Sequence, residues 1–140
     1  MGMLFQGAAL FDSMDVLHNV LFPLQMFSSK TYREQLDRAR FCLDRVGLTD
    51  AEKKMPSELS GGMQKRVAIA RALINKPAVL FADEPSGNLD TRTKDELHKL
   101  FFSLRDKYGQ TIVIVTHDPE LAQMCDRSLY MVDGQFVLGV

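Results

Sequence analysis

The pattern of apolar and polar positions divides the chain into segments of different character. The short apolar run at residues 2–5 is typical of a buried strand. From residue 7 onwards the apolar positions take a helical spacing, which predicts amphipathic helices. After residue 76, short apolar runs alternate with helical patterns, and this order predicts a parallel sheet with helices packed on it. The sequence therefore predicts an α/β fold joined to a helical segment at residues 7–75.

The helical segment contains clear boundary signals. One helix is predicted over residues 15–24 and is expected to end at Pro23, because proline disrupts a helix interior. A second is predicted over residues 31–47, where Thr31 and Glu34 have the spacing of a capping box. These signals predict helices that pack through one apolar face.

The second half of the chain contains two apolar runs without a polar face. AVLFA at residues 78–82 and TIVIV at residues 111–115 are typical of parallel strands that are covered on both sides. Asp118 before Pro119 predicts the start of a helix. Asp133 and Gly134 lie between two further apolar runs and predict a β-hairpin turn.

Polar side chains follow each predicted strand of the sheet. Gln6 follows the first strand, Asp83 and Glu84 follow the second, and His117 follows the third. Because ligands in such sheets bind at the carboxyl ends of the strands, we expect these residues at one edge. Asp83 has the position of a Mg²⁺-holding carboxylate, and Glu84 that of a group that orients or deprotonates water. Taken alone, two acids at a strand end are more often a solvated turn. His117 has two interpretations: it contacts a terminal phosphate, or it caps the loop before Asp118.

The stretch Ser60, Gly61 and Gly62 directly precedes a run of good helix formers. The first N–H groups of a helix have no partner within the helix, and glycine lets an anion approach them closely. This arrangement is typical of phosphate binding. Taken alone, such a stretch is more often an ordinary N-cap on a flexible approach.

Together these segments resemble the nucleotide-binding domain of the ATP-binding cassette (ABC) ATPases. The resemblance covers essentially the whole chain and rests on five motifs in series. They are LFQ (4–6) as the Q-loop, LSGGMQ (59–64) as the signature motif, AVLFADEP (78–85) as Walker B, SGNLD (86–90) as the D-loop and VTHD (115–118) as the H-loop.

The resemblance implies a partial P-loop NTPase core with parallel strands and helices, plus a helical subdomain. Residues 1–6 correspond to a core strand that ends in the Q-loop. Residues 7–75 correspond to the helical subdomain with the signature motif, which docks on a membrane-embedded permease subunit. Residues 76–140 correspond to the C-terminal part of the ATPase core, including the terminal hairpin.

The resemblance also implies roles for individual residues toward the cofactors ATP and Mg²⁺. Glu84 polarises the attacking water and His117 contacts the γ-phosphate. Asp83 holds Mg²⁺ through water, and Gln6 senses both Mg²⁺ and the γ-phosphate. The signature residues act on ATP held by a second ATPase subunit in a head-to-tail dimer. The implied nucleotide contacts are Gln6, Ser60, Gly61, Gly62, Gln64 and Asp90.

Composition adds few constraints. The net charge of −1, with acids and bases interspersed, gives no basic field for nucleic acid. Cys42 and Cys125 are far apart, which predicts unpaired thiols in a reducing compartment. No apolar run approaches the length of a membrane span, and no signal peptide is evident. With the family resemblance, this predicts a peripheral protein at the cytoplasmic face of the inner membrane.

The main departure from the family is that the sequence contains neither the P-loop pattern GxxxxGK[ST] nor any Gly-Lys dipeptide. The family's adenine-stacking aromatic residue and its N-terminal antiparallel strands are also absent from this sequence. We therefore expect the C-terminal part of an ABC ATPase that is intact in its other motifs but neither binds ATP tightly nor hydrolyses it alone. Strands deprived of neighbours also predict self-association of the fragment.

The motifs point to two transporter groups. The first group is the bacterial phospholipid-trafficking ATPases of the Mla type, which residues 2–24 together with residues 55–63 resemble most. From the sequence we favour this group. EPSGNLD at residues 84–90 looks more like the lipoprotein-release and macrolide-export ATPases. Two other classes are a soluble ABC ATPase and a non-catalytic scaffold of the same fold. The absence of a long heptad insertion argues against the repair ATPases, and intact Glu84 and His117 argue against a scaffold.

Overall fold

The computed structural model describes residues 2–4 and 10–137. The described strands form a parallel sheet in the order β1-β2-β3 and a separate antiparallel pair. The strands are β1 (Gly2–Leu4), β2 (Val79–Asp83), β3 (Thr111–Val115), β4 (Tyr130–Val132) and β5 (Gln135–Val137).

Helices fill most of the remaining described chain. A single turn of 3-10 helix at Pro56–Glu58 precedes the third α-helix. The α-helices are α1 (Val16–Phe27), α2 (Tyr32–Arg45), α3 (Gly61–Leu73), α4 (Thr91–Tyr108) and α5 (Pro119–Met124). Helices α1, α2 and α3 contact one another, and α3 also contacts β1. The α/β class predicted from the sequence is confirmed.

One core connects the helical segment with the sheet. Leu21 of α1, Leu43 of α2 and Ile69 of α3 are fully buried, as are Leu80 of β2 and Phe101 of α4. These side chains belong to a single apolar cluster. The apolar helix faces and the strand therefore stabilise each other, and the helical segment has no separate core.

Side-chain caps begin two of the predicted helices. The Thr31 hydroxyl accepts a hydrogen bond from the Glu34 N–H at 3.2 Å, and α2 follows. The Asp118 carboxylate accepts one from the Glu120 N–H at 2.9 Å, and α5 begins at Pro119. These local signals predicted helix starts correctly because an N-cap satisfies backbone donors without help from distant residues.

The predicted end of the first helix at Pro23 is wrong, because α1 continues to Phe27. Pro23 removes one helical N–H, but Leu24 in the same turn is buried in the core. The Ser28 N–H then donates to the Leu24 carbonyl at 2.9 Å and closes the helix. Burial of the following turn outweighs the lost hydrogen bond.

The prediction that β3 is covered on both faces is also wrong for the described structure. In the parallel register Leu80 pairs with Ile112 and Ala82 with Ile114, so these four side chains share the face that packs on the core. The alternate residues Val113 and Val115 are 40% and 55% exposed. A continuous apolar run therefore predicted the strand correctly but not the cover of its second face.

The predicted hairpin is confirmed. Asp133 and Gly134 both have positive φ, at 52° and 77°, and connect β4 to β5 with Val132 paired to Gln135. Two left-handed residues are the requirement of the tight turn that matches strand twist. All six strand residues of this hairpin are exposed, which leaves apolar side chains such as Phe136 open to solvent.

The two cysteines are free thiols, as predicted. Cys42 is buried in α2, and Cys125 is partly buried at the end of α5. Burial raises the pKa of both thiols, and for Cys125 the neighbouring Asp126 carboxylate adds to the effect. Both are therefore poor nucleophiles at neutral pH.

Candidate functional site

The carboxyl ends of β2 and β3 lie side by side. Asp83, the last residue of β2, pairs with Val115, the last residue of β3. The Glu84 N–H donates to the Val115 carbonyl at 2.8 Å, so the ladder continues one residue beyond β2. The acidic pair and His117 therefore lie at one edge of the sheet, where the sequence predicted them.

Glu84 and His117 approach each other at this edge. His117 Nε2 lies 3.6 Å from Glu84 Oε1, which is within ion-pair range but too long for a hydrogen bond. Glu84 Oε1 is buried and has no hydrogen-bond partner, whereas the His117 side chain is fully exposed. The other carboxylate oxygen lies 3.5 Å from the Thr116 hydroxyl. An unpartnered buried carboxylate oxygen is costly in a folded protein and marks a candidate site.

The backbone at Glu84 is strained. Its φ is +46°, a left-handed value that non-glycine residues adopt rarely, at a cost of about 1–3 kcal/mol. The Gly87 N–H donates to the Glu84 carbonyl at 3.1 Å, and Pro85 is buried behind it. This turn fixes the carboxylate at the strand end, which is a common feature of catalytic positions.

The start of α3 is an N-capped helix terminus. The Ser60 hydroxyl accepts a hydrogen bond from the Met63 N–H at 3.2 Å. The Gln64 side-chain amide donates to the Pro56 carbonyl at 2.9 Å. Gly61 is exposed at the terminus. Both interpretations of this stretch thus have support: Ser60 caps the helix, and the first turn stays open for an anion at Gly61.

Gly62 has a packing role that the sequence did not indicate. It is buried, and a Cβ at this position would lie 2.5 Å from Thr93 Cγ2, closer than any real contact. A Cβ on Gly61 would lie 3.4 Å from Leu89 Cδ2, a tight but tolerable distance. Glycine at position 62 therefore lets the start of α3 pack directly on the start of α4.

The segment at residues 86–90 connects this contact with the sheet edge. Asp90 is the N-cap of α4, and the side chain of Thr93 is the main cause that holds the pKa of Asp90 below its ordinary value. Ser86, near Glu84, has its hydroxyl oxygen 2.9 Å from His98 Nε2. The contact of Ser86 with His98 therefore connects the turn after Glu84 to α4, and Thr93 of α4 lies against the start of α3.

Sequence reasoning missed His98. Its side chain is buried in α4, and burial lowers its pKa, which favours the neutral imidazole. The apolar stripe of α4, with Leu97 and Phe101 among its members, could have marked position 98 as buried. Its partner Ser86 lies twelve residues away and becomes a neighbour only through the turn after Glu84.

Gln6 lies outside the described residues. The remaining predicted site residues fall into two groups: Asp83, Glu84 and His117 at the sheet edge, and the set at the α3 and α4 termini. The second set comprises Ser60, Gly61, Gly62, Gln64 and Asp90.

The model of the family described as ABC transporter matches residues 1–87 of the chain. This range includes the α3 terminus and the acidic pair Asp83 and Glu84 at the end of β2. The chain belongs to the ABC transporter family.

The curated relatives of this ABC transporter chain include two different named proteins. It is 52% identical over 133 residues to the lipoprotein-releasing system ATP-binding protein LolD of Bacteroides thetaiotaomicron, a match covering 95% of this chain and 61% of that protein. It is 43% identical over 134 residues to the uncharacterized ABC transporter ATP-binding protein YbbA of Escherichia coli K12, covering 96% and 58%. The chain therefore spans about three fifths of the length of these relatives.

Solved ABC cassettes have the same fold. The dimeric structure of MJ0796, titled a bacterial ABC transporter cassette, superposes with a TM-score of 0.80 at 37% identity, covering 97% of this chain and 60% of that one. CbiO1 of Clostridium perfringens superposes with a TM-score of 0.90 at 34% identity, covering 98% and 55%. A further MJ0796 structure is described as a post-hydrolysis dimer bound to ADP and Pi. The sequence-based assignment to the ABC ATPases is confirmed.

The donor set at the sheet edge fits magnesium bound with a nucleotide. Family members use ATP with Mg²⁺, and this ion keeps several waters while binding one or two carboxylates plus substrate phosphates. Asp83 is an exposed carboxylate at the strand end. Among residues 2–4 and 10–137, no group of three or more His, Cys, Asp or Glu side chains could form a protein-only metal site. An exposed carboxylate at the strand end fits a metal ion whose other ligands are water and phosphate.

We expect Gly62→Ala to lower the free energy of unfolding by about 1–3 kcal/mol, because the new methyl group overlaps Thr93 Cγ2. The double variant Gly62→Ala/Thr93→Ser removes that methyl group and should recover most of the loss. Gly61→Ala is the matched control and should change stability little. Urea denaturation of the four chains checks this, and a fully stable Gly62→Ala, or no recovery in the double variant, would contradict the packing role.

Proposed function

We propose that this chain supplies part of the ATP-hydrolysing site of an ABC transporter subunit. The observation that carries the proposal is the Glu84 carboxylate, with its strained backbone and an unpartnered oxygen 3.6 Å from His117 Nε2. In this role Glu84 orients and polarises the attacking water, and His117 contacts the terminal phosphate. Asp83 and Gln6 hold Mg²⁺, the latter also sensing the γ-phosphate. Bound Mg²⁺ supplies charge neutralisation on the phosphates.

The α3 terminus is proposed to act on a nucleotide held by a second subunit. A helix N-terminus carries a partial positive charge, and exposed Gly61 leaves the backbone accessible. Ser60, Gly61, Gly62 and Gln64 belong to this contact, and Asp90 transmits its state across the interface. The titles of the MJ0796 structures describe dimers, which supports a head-to-tail pair of ATPase subunits.

The domain division 1–6, 7–75 and 76–140 is proposed on the same basis. The described part of the middle range contains helices and turns, whereas the last range contains β2 and β3 with the acidic edge. In this proposal the middle range docks on a permease subunit, and the chain works at the cytoplasmic face of the bacterial inner membrane. None of the described helices combines the length and apolarity needed to cross a bilayer.

For the cargo, lipoprotein release now has more support than phospholipid trafficking, which the sequence alone favoured. The 52% identity is to a relative named for lipoprotein release, and a second such relative, from Bacteroides fragilis, is 50% identical. We therefore propose a lipidated protein as cargo, selected by the permease. A soluble ABC ATPase or a non-catalytic scaffold has no specific observation in its favour.

The proposed catalytic role predicts that this chain hydrolyses ATP only when a P-loop-bearing fragment is also present. We expect residues 1–140 alone to show no tight MgATP binding and no hydrolysis. Adding a P-loop-bearing N-terminal fragment of an ABC ATPase in trans should restore phosphate release. Glu84→Gln should then abolish it, while Glu120→Gln, a matched change on exposed α5, should leave it intact. A coupled phosphate assay checks this, and hydrolysis that survives Glu84→Gln would contradict the role of Glu84.

The proposed permease contact can be tested with two methionines of similar exposure. Met26 on α1 is 56% exposed and Met124 on α5 is 53% exposed. Methionine suits adaptable apolar contacts. We expect Met26→Glu to reduce co-purification with the permease subunit and Met124→Glu to leave it unchanged. Equal retention of the permease by both variants would argue against docking through the helical segment.

We also propose that the chain alone self-associates through its open apolar surface. That surface comprises Val113 and Val115 of β3 and the exposed hairpin with Met131 and Phe136. Replacing both valines with lysine should shift the chain toward monomer, because charge on a sheet face opposes edge and face pairing. Gln123→Lys adds a charge on α5 as the control. Light scattering at high concentration checks this, and a monomeric wild-type chain would refute it.

A further inference from the structure

A second concave region lies at the end of the sheet opposite Glu84. It is lined by loops that enter the strands, with Pro77 before β2 and Gln110 before β3, together with the C-terminal half of α2. Its volume is about 390 Å³, within the range of small-molecule sites. We call this region the amino-end cavity; its main lining residues are Arg38, Phe41, Arg45, Lys76, Pro77 and Gln110.

Arg45 is held in a defined orientation at this cavity. Its guanidinium carbon lies 4.3 Å from the ring centroid of Phe41 and 4.1 Å from that of Tyr108. Two aromatic contacts restrict the guanidinium while leaving its N–H edge able to donate. Arg45 Nε is buried and has no hydrogen-bond partner. This nitrogen has no exposed surface for a ligand, so a ligand in the cavity would have to meet the terminal nitrogens of the guanidinium.

Arg38 and Lys76 add positive charge to the same cavity. Arg38 also stacks on Phe41, at 5.3 Å, and donates to the carbonyls of Leu73 at 2.8 Å and Ile74 at 3.1 Å. These bonds anchor Arg38 at the C-terminus of α3. The described side chains provide no carboxylate within 4.0 Å of Arg38, Arg45 or Lys76. Three cations thus line one cavity without an ion-pair partner among the described side chains.

We propose that the amino-end cavity is a binding site for a phosphate group. A phosphate monoester carries about 1.5–2 negative charges at neutral pH, which matches three cations better than a single carboxylate does. The planar N–H edge of arginine suits bidentate contacts with phosphate oxygens, and Lys76 supplies a point charge. The aromatic rings of Phe41 and Tyr108 flank the arginine that makes the contact. The site lies at the other end of β2 and β3 from the proposed ATP site and does not depend on it.

The first test is titration of the full chain with inorganic phosphate at constant ionic strength, followed by backbone NMR. We expect saturable shifts in the amide signals of residues 41–45, 76–78 and 108–111. Arg45→Gln should weaken the affinity by about tenfold or more, as expected for loss of a charge-assisted contact. Arg45→Lys retains the charge but not the planar edge, and should weaken it less. Arg127→Gln, which removes an exposed arginine elsewhere, should leave the affinity unchanged.

Two further measurements distinguish the possible sources of phosphate and detect nonspecific effects. Sedimentation with vesicles containing phosphatidic acid, whose headgroup is a phosphate monoester, compared with neutral vesicles, distinguishes a lipid headgroup from free phosphate; Arg45-dependent binding with either source supports the site. Circular dichroism confirms that each variant is folded. The proposal is overturned if phosphate shifts fail to saturate, if chloride reproduces them, or if Arg127→Gln weakens binding as much as Arg45→Gln.

Discussion

The parallel pairing of β2 with β3 is the interaction on which the candidate site depends. Its last hydrogen bond, from the Glu84 N–H to the Val115 carbonyl at 2.8 Å, lies beyond the end of β2. This bond holds Glu84 beside the residues that follow β3, so the Glu84 carboxylate comes close to both Thr116 and His117. A slip of one residue in this register would turn the side chains of β2 to the opposite face and separate the pair.

The packing of α3 on α4 provides the second constraint. Gly62 allows Thr93 to lie against the first turn of α3, and the same threonine lowers the pKa of Asp90. Ser86, four residues before Asp90, meets buried His98 on α4. The terminus that is proposed to face a second subunit is therefore mechanically joined to the turn that carries Glu84.

The sequence predicted those features that depend on local chemistry or on strand order along the chain. The caps at Thr31 and Asp118, the turn at Asp133 and Gly134, and the strand-end position of Glu84 each follow from a few adjacent residues. The apolar run at residues 111–115 did not by itself predict the exposure of Val115, because such a run does not show whether both faces of the strand are covered. The neighbours of Gly62 and His98 could not be predicted either, since both contacts form between elements far apart in sequence. Pro23 shows the same limit, because burial of Leu24 overrides a local helix-ending signal.

The described residues supply only a small part of the free energy that nucleotide binding requires. The α3 terminus contributes about 0.3–2 kcal/mol toward an anion, whereas micromolar affinity corresponds to about 8 kcal/mol. The carboxylates of Asp83 and Glu84 repel phosphate unless Mg²⁺ lies between them and the phosphate oxygens. The acidic edge is therefore suited to act on a nucleotide that other groups hold in place. In the proposed function the α3 terminus and the acidic edge therefore belong to two different composite sites, each completed by residues outside the described part of this chain.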